Sequence, residues 1–282
     1  MKLIGESGST RAEWALVQHN NVIQLAFTDG INPFFQNRRE ISRTVRLNLP
    51  ASFFNRKLEQ VYFYGAGCTE EKKSILMASL IAQFKVAVSV ESDLLAAARG
   101  LFKHEAGIAC ILSTGSNSCL YNGSTITKNV RTAGYILGDE GSEAVLGKMF
   151  ISDVMKNLAP TSLMNDFYER FRITPDDVME SVYDKSFPNR FLATTSYFLG
   201  NYIENDYVHN LFTKNLHDYF SRCVCQYDYQ EYPIRFVGSF AHKYSKMLQD
   251  VAKTYGIEID QIVETPMAGL VEYHASPIIE EY

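Results

Sequence analysis

The chain carries the same local pattern twice, first at residues 2–27 and again at residues 106–130. In each copy a short apolar strand enters a turn of small polar residues, a second strand returns, a turn containing asparagine follows, and a third strand completes the unit. The first polar turn is Ser7–Thr10 and the second is Ser113–Asn117. A pattern repeated in this way predicts two structural units of one architecture.

Between the two copies, the sequence is typical of parallel α/β structure. The continuous apolar run at 61–64 suits a strand that is buried on both faces. A helical pattern at 70–84 then leads to a further strand at 86–90. We therefore expect an α/β fold in which mixed sheets are flanked by helices.

Charged residues at 103–106 separate two apolar blocks, and we place the domain boundary there. The N-terminal domain is expected at 1–105 and the C-terminal domain at 106–266. The second of these would contain a helical insertion at about 160–232. The terminal helix, 267–282, is expected to pack back on the first domain.

Composition and charge exclude several classes of function. The 282 residues carry a formal net charge of −5, whereas binding of a nucleic-acid backbone needs a cationic face, so nucleic acid is not expected as a partner. The opening residues lack the long apolar run of a secretory signal, and no stretch approaches the roughly 18 apolar residues of a membrane-spanning helix. Five scattered cysteines fit reduced thiols. We therefore expect a cytoplasmic protein without a membrane partner.

The two polar turns are suited to phosphate binding. Glycine lets the backbone approach a ligand closely, and amide N–H groups and hydroxyls can then bind phosphate oxygens. The sequence has neither a Walker A loop nor a dinucleotide-type glycine motif, so a nucleotide would have to be held by two turns facing each other across a cleft. The candidate ATP-binding residues in and beside the turns are Ser7, Gly8, Ser9, Thr10, Arg11, Thr114, Gly115 and Ser116.

Asp93 lies where the strand at 86–90 passes into an alanine-rich helix. Open α/β sheets place their ligands at the carboxyl ends of parallel strands, which favours a chemical role for this residue. Aspartate is also a preferred helix N-cap, so the residue alone supports either interpretation.

Five segments, taken together, resemble those of a known superfamily. They are Glu6–Thr10, Asp93, Ser113–Asn117, Gly138–Ser142 and Gly238–Ser239. Their order and spacing cover nearly the whole chain and resemble the ATPase fold shared by actin, hexokinase and the heat-shock chaperones. Within that fold, the chain resembles the BadF/BadG/BcrA/BcrD ATPases and N-acetylglucosamine kinases. The resemblance implies two ribonuclease H-like domains with a cleft between them, and a homodimer.

The resemblance also implies an activity, an ATP-dependent phosphorylation of a sugar hydroxyl. The substrate would be an amino sugar such as N-acetylglucosamine or N-acetylmuramate, and the cofactors would be ATP and Mg²⁺. Asp93 matches the catalytic aspartate, which would orient the sugar hydroxyl and accept its proton. Asp139 matches a residue that contacts the sugar hydroxyls, and Asn32 and Ser113 would add contacts.

The same resemblance assigns residues to the nucleotide and its metal. Gly238 and Ser239 would lie against the adenosine. Glu6 would hold Mg²⁺ through water, and Glu140 would support the metal or its own loop. Glu6 stands where the family has aspartate, and its side chain is one methylene longer, whereas Mg²⁺ demands near-octahedral geometry. Arg11 stands where lysine is common, which keeps the charge but changes the donor geometry.

Two other functions stay open at this level. Activators of 2-hydroxyacyl-CoA dehydratase-type systems, in the resembling family, share a [4Fe–4S] cluster held by cysteine thiolates of two subunits. Here Cys110 and Cys119 flank the second polar turn, Cys223 and Cys225 lie far along the chain, and the linker cysteines expected near the domain boundary are missing. The glutamate at position 6 motivates the other alternative, a sugar- or nucleotide-sensing module that does not catalyse.

Overall fold

The computed structural model describes residues 1–275. By internal contacts, the chain separates into two compact units. The first comprises 1–109, 119–128 and the segment from 265, and the second comprises 110–118 and 129–264. The domain boundary expected from the sequence stays a prediction.

The first unit is built on a five-stranded sheet with the order β3-β2-β1-β4-β5. Its strands are β1 (Lys2–Ser7), β2 (Arg11–Gln18), β3 (Asn21–Asp29), β4 (Gln60–Gly65) and β5 (Ala87–Ser92). The first three strands pair antiparallel, as predicted, and β1, β4 and β5 pair parallel. The register aligns Ser7 with Gly65, and Gly65 with Ser92. The carboxyl ends of the parallel strands therefore meet beside the first polar turn.

Helices pack on the two faces of this sheet. They are α1 (Arg38–Asn48), α2 (Glu70–Phe84), α3 (Asp93–Phe102) and, at the end of the chain, α12 (Met267–Ala275). The helix α1 begins where Asn37 and Glu40 form a capping box. One hydrophobic cluster joins Trp14 and Phe63 of the sheet to α1 and α2. The other cluster joins Ile4 to residues of α3 and α12.

The second copy of the repeated pattern lies in another five-stranded sheet, with the order β10-β9-β6-β7-β8. Its strands are β6 (Ala106–Leu112), β7 (Ser116–Asn122), β8 (Ile126–Asn129), β9 (Ile234–Val237) and β10 (Ile259–Val263). Two mixed sheets flanked by helices confirm the predicted fold class. The last strand, β10, begins at Ile259 and pairs in parallel with β9 from Ile234 onward.

The remaining helices belong to the second unit. They are α4 (Gly134–Leu137), α5 (Glu143–Met155), α6 (Thr161–Phe171), α7 (Pro175–Tyr183), α8 (Pro188–Leu199), α9 (Asp206–Arg222), α10 (Ser239–Lys243) and α11 (Ser245–Thr254). The single turn α4 lies between β8 and the segment that carries Asp139. Packing of Phe150, Phe167 and Phe198, with ring centroids 5.4 to 5.9 Å apart, holds α5, α6 and α8 together. Within residues 1–275, no helix is long and apolar enough to cross a membrane.

Candidate active site

The first polar turn is fixed by the loop that follows β3. Ser7 is fully buried. Its hydroxyl accepts a hydrogen bond from the Ile31 amide at 2.8 Å and lies 3.2 Å from the Ile31 carbonyl oxygen, to which it donates. Gly30 packs so closely that a Cβ there would come within 2.7 Å of the Ser9 carbonyl oxygen. The Ser7 hydroxyl is therefore used inside the fold, while Thr10 at the tip of the turn is exposed.

Arg11 starts β2 directly after this turn and is exposed. Its guanidinium carbon lies 3.8 Å from the centroid of the Phe27 ring on the neighbouring strand β3. The planar guanidinium thus stacks on an aromatic face, which lysine would do less well. This contact holds the positive charge of Arg11, which the sequence predicts to bind ATP, at the side of the turn.

Three carboxyl groups influence one another beside the turn. Glu6 on β1 lies opposite Glu13 on β2. Burial, and then the charges of Asp93 and Glu13, raise the pKa of Glu6 to about 8. One carboxylate oxygen of Glu13, Oε2, is buried without a hydrogen-bond partner among residues 1–275. Sequence reasoning missed Glu13, because a turn at residues 7–10 would place Arg11 opposite Glu6, whereas the strands pair up to a two-residue turn at Ser9–Thr10.

Asp93 is the first residue of α3, one position beyond the end of β5. Ser92 caps this helix by accepting a hydrogen bond from the Leu95 amide at 3.2 Å. The interpretation of Asp93 as the N-cap is therefore wrong. Burial raises the pKa of Asp93, against the opposing effect of hydrogen bonds from the backbone amides of Leu94 and of Asp93 itself. The carboxyl group lies at the strand end where the sequence predicted it.

Asn32 lies in the loop that also holds the first turn. Its side-chain oxygen accepts a hydrogen bond from the Phe34 amide at 2.9 Å. Gly67, in the loop after β4, contacts this side chain so closely that a Cβ would overlap it. Phe34 and Phe35 beside it are 56% and 63% exposed, an uncommon position for two phenylalanines. These two rings, which sequence reasoning missed, form an apolar surface next to Asn32.

The second polar turn is closed by its own backbone and held by α5. The Ser113 amide donates to the Gly115 carbonyl at 2.9 Å. At the start of α5, the Glu143 amide donates to the Ser113 carbonyl at 2.9 Å, and the Ala144 amide to the Thr114 carbonyl at 3.2 Å. The turn and the beginning of the helix therefore form one hydrogen-bonded structure.

Asp139 is brought to this turn by an unusual backbone conformation. Its φ is +54°, and its amide donates to the Thr132 carbonyl at 3.0 Å. Burial raises the pKa of Asp139 to about 6, although hydrogen bonds from the Thr132 side chain and the Ser116 amide favour the ionised form. A Cβ on Gly115 would lie only 3.3 Å from the Asp139 carboxylate. Glycine at this position therefore leaves room for the acid.

The rest of the loop is fixed by Asn215, a fully buried residue of α9. Its side chain accepts from the Gly141 amide at 2.9 Å and donates to the Ser142 carbonyl at 3.0 Å. Glu140 forms an ion pair with Arg222 at 3.0 Å. Two adjacent acids thus have different surroundings: Asp139 lies at the polar turn, and Glu140 lies against α9.

Gly238 and Ser239 follow β9. Gly238 has φ +130°, and a Cβ there would overlap the Leu112 carbonyl oxygen, so only glycine fits. Ser239 begins α10, and its side chain lies near the Glu143 carboxylate and favours its ionised form. The second unit therefore gathers the second polar turn, Asp139 and Ser239, while the first unit gathers the first turn, Glu6, Asn32 and Asp93.

Comparisons with known proteins extend this picture. No family model and no curated protein matches the chain. Among solved structures, a candidate N-acetylglucosamine kinase from Porphyromonas gingivalis is 40% identical, with a TM-score of 0.93 over 98% of this chain and 99% of that one. A candidate N-acetylglucosamine kinase from Chromobacterium violaceum is 15% identical, with a TM-score of 0.77 over 96% of this chain and 98% of that one. A ROK family glucokinase from Streptomyces griseus, solved with glucose and AMPPNP, is 12% identical, with a TM-score of 0.53 over 96% and 97%. These last two share the fold.

Two mixed sheets, each with a polar turn after its first strand, together with the likeness to the Porphyromonas gingivalis protein, define a member of the actin and hexokinase ATPase superfamily. Within that superfamily, the 40% identity to the Porphyromonas gingivalis protein over 98% of the chain defines the family. The chain belongs to the family of N-acetylglucosamine kinase-like proteins.

Proposed function

We propose that the chain is an ATP-dependent kinase that phosphorylates a hydroxyl of an amino sugar, with N-acetylglucosamine as the first candidate. The observation that carries the proposal is the 40% identity to a candidate N-acetylglucosamine kinase over 98% of the chain. The geometry of each unit supports it, because the residues required for such chemistry lie at strand ends and turns rather than in the core.

Asp93 would accept the proton of the attacking sugar hydroxyl. A general base must lie within hydrogen-bond reach of that hydroxyl, and a partly buried carboxyl with a raised pKa is a stronger proton acceptor than an ordinary aspartate. Asn32 in the first unit, and Ser113 and Asp139 in the second, would bind other groups of the sugar. The exposed rings beside Asn32 would cover an apolar part of it.

The polar turns and the Gly238–Ser239 turn would hold ATP, as the glucokinase solved with an ATP analogue suggests for this fold. The acids of the first unit fit Mg²⁺, a hard cation that prefers oxygen ligands, since Asp93 and Glu13 lie close enough to Glu6 to raise its pKa and a cation would relieve that repulsion. No group of three or more His, Cys, Asp or Glu in residues 1–275 could hold a metal ion. Glu6 would therefore hold Mg²⁺ through water, and Glu140 would support its loop through Arg222. When bound, the ion would neutralise charge on the transferred phosphoryl group.

The iron–sulfur alternative is disfavoured by the state of the cysteines. Cys68, Cys119 and Cys223 are buried, and burial raises each thiol pKa to about 12. A cluster needs thiolates, so these three thiols are poor ligands for one. We keep the homodimer as part of the proposal, without an iron site.

A coupled assay of ADP release over a panel of sugars, with ATP and Mg²⁺, tests the proposed function. We expect turnover with amino sugars and a loss of about 1,000-fold or more in kcat for Asp93→Asn, because proton transfer and orientation are both removed. Asp250→Asn, an exposed aspartate of α11, is the matched control and should retain full activity. Binding of sugar and nucleotide without any turnover would support the sensing alternative, and unchanged turnover in Asp93→Asn would refute the role of Asp93.

A further inference from the structure

Glu143 is a buried acid that the proposed chemistry does not use. It is the first residue of α5 and is only 3% exposed. Helix capping does not require it, because the Ser142 hydroxyl accepts from the Val145 amide at 3.1 Å and caps α5. Burying a carboxylate is costly unless hydrogen bonds and charges compensate, so its surroundings show what the side chain does.

The side chain of Glu143 faces the turn after β9. The side chains of Tyr197 on α8 and Ser239, and the positive charge of Lys243 on α10, lie near its carboxylate and favour its ionised form. Tyr244 also lies near this carboxylate, whose charge adds to the effect of burial in raising the pKa of Tyr244. Ser239 is thereby held by an acid that belongs to a different helix.

The backbone of Glu143 faces the second polar turn. Its amide donates to the Ser113 carbonyl at 2.9 Å. One residue therefore binds the second polar turn through its main chain and the Gly238–Ser239 turn through its side chain. The close packing of Gly238 on the Leu112 carbonyl brings the two turns together at the end of β6.

We propose that Glu143 is a positioning residue for the nucleotide, which fixes the adenosine-side turn Gly238–Ser239 relative to the second polar turn. The inference rests on the proposed function, since it assigns the two turns to the two ends of one ATP. Glu143 acts through Ser239 and the backbone of Ser113 rather than by touching the nucleotide. Its loss should therefore weaken nucleotide binding and leave sugar binding unchanged.

Calorimetric titration of ADP and, separately, of N-acetylglucosamine into the full chain tests the inference. Glu143→Ala should weaken ADP binding about tenfold, the usual effect of removing a buried hydrogen bond to a charged group, and should change the Kd of the sugar by less than about twofold. Glu143→Gln keeps one acceptor oxygen and should recover most of the affinity. Asp153→Asn is the control, because this acid of the same helix α5 bonds Tyr207 at 2.7 Å on another helix. It should leave ADP binding unchanged even where it lowers the Tm.

A double-mutant cycle with Ser239→Ala tests whether Glu143 affects ADP binding through Ser239. If Glu143 acts through Ser239, the double variant should bind ADP no more weakly than the weaker single variant, whereas additive losses would overturn the inference. Wild-type affinity for ADP in Glu143→Ala, or equal losses for ADP and sugar, would also overturn it. Should Glu143→Ala not fold, the same cycle with Glu143→Leu, which also removes both acceptor oxygens but fills the space, decides. Wild-type protein that binds no ADP would overturn the proposed function as well, which separates the two failures.

Discussion

Replacement of Glu6 by glutamine should stabilise the ligand-free protein as the pH rises. Glu6 lies opposite Glu13, and burial together with the charges of Asp93 and Glu13 raises its pKa from 4.5 to about 8. The folded protein therefore keeps a proton on Glu6 that the unfolded chain releases. A carboxyl group of this kind favours the folded state below the unfolded pKa, and that contribution is lost as the pH rises toward the folded pKa. Glutamine has nearly the same shape and no proton to lose.

The size of the effect follows from the pKa shift. Between the unfolded and folded pKa values of Glu6, each pH unit removes about 1.4 kcal/mol from the free energy of unfolding. From about pH 6 to about pH 7.5, the wild type should lose about 2 kcal/mol relative to Glu6→Gln. In a protein of this size, that corresponds to a difference of roughly 4 to 8 °C in Tm.

Thermal unfolding of both proteins across this pH range, without ATP or metal, measures the difference. Glu180→Gln, an exposed acid paired with Lys185, is the control and should follow the wild type. Mg²⁺ with ADP should stabilise the wild type more strongly at high pH, because a cation favours the ionised carboxylate, and should not do so in Glu6→Gln. Parallel curves for the wild type and Glu6→Gln would refute the argument that Glu6 is protonated in the ligand-free protein.

Three further predictions concern other buried polar groups. Asp139→Asn should raise the KM for the sugar about tenfold in steady-state assays, with the KM for ATP unchanged, because it removes a charged acceptor at the second turn. Asn215→Ala should lower the free energy of unfolding by about 2 kcal/mol in thermal denaturation, since the Gly141 amide loses its buried acceptor. Burial lowers the pKa of His274 to about 3, so wild-type stability should fall as the pH drops below about 6.5, and His274→Gln should flatten that decline in acid unfolding experiments.

Much of the fold could be predicted because the decisive signals are local. The apolar run at 61–64 and the turn residues Ser7–Thr10 define a parallel strand and an antiparallel hairpin without any knowledge of distant contacts. The position of Asp93 followed from the same reasoning, since a strand end and a helix start are adjacent in sequence. The last strand, β10, gives a weak signal in the sequence, because the adjacent exposed residues Asp260 and Gln261 interrupt its apolar residues and because it depends on β9 for its pairing.

The candidate site was predictable only where its residues belong to a local pattern. Glu13 could not be placed from the predicted turn, because a turn at 7–10 puts Arg11 opposite Glu6, and the tighter turn at Ser9–Thr10 is visible only in the strand pairing. The exposure of Phe34 and Phe35 could not be predicted either, because a sequence does not show which apolar residues the fold leaves exposed to solvent. The surroundings of Asp139 and Glu140 were also hidden, as adjacent acids in a loop look equivalent until the backbone turns them in different directions.

Asn215 and Glu143 show where single-sequence reasoning ends. Asn215 fixes a loop 74 residues away, and Glu143 joins two turns that the chain separates by more than a hundred residues. Neither residue belongs to a motif, and each has an ordinary alternative interpretation as a helix residue. Polar groups buried at such junctions need hydrogen-bond partners, because burying an unpaired polar group destabilises the folded protein. Buried residues whose main chain and side chain contact two different turns are therefore candidate positioning residues that motifs omit. Glu143 is one such residue, and binding measurements can test its role.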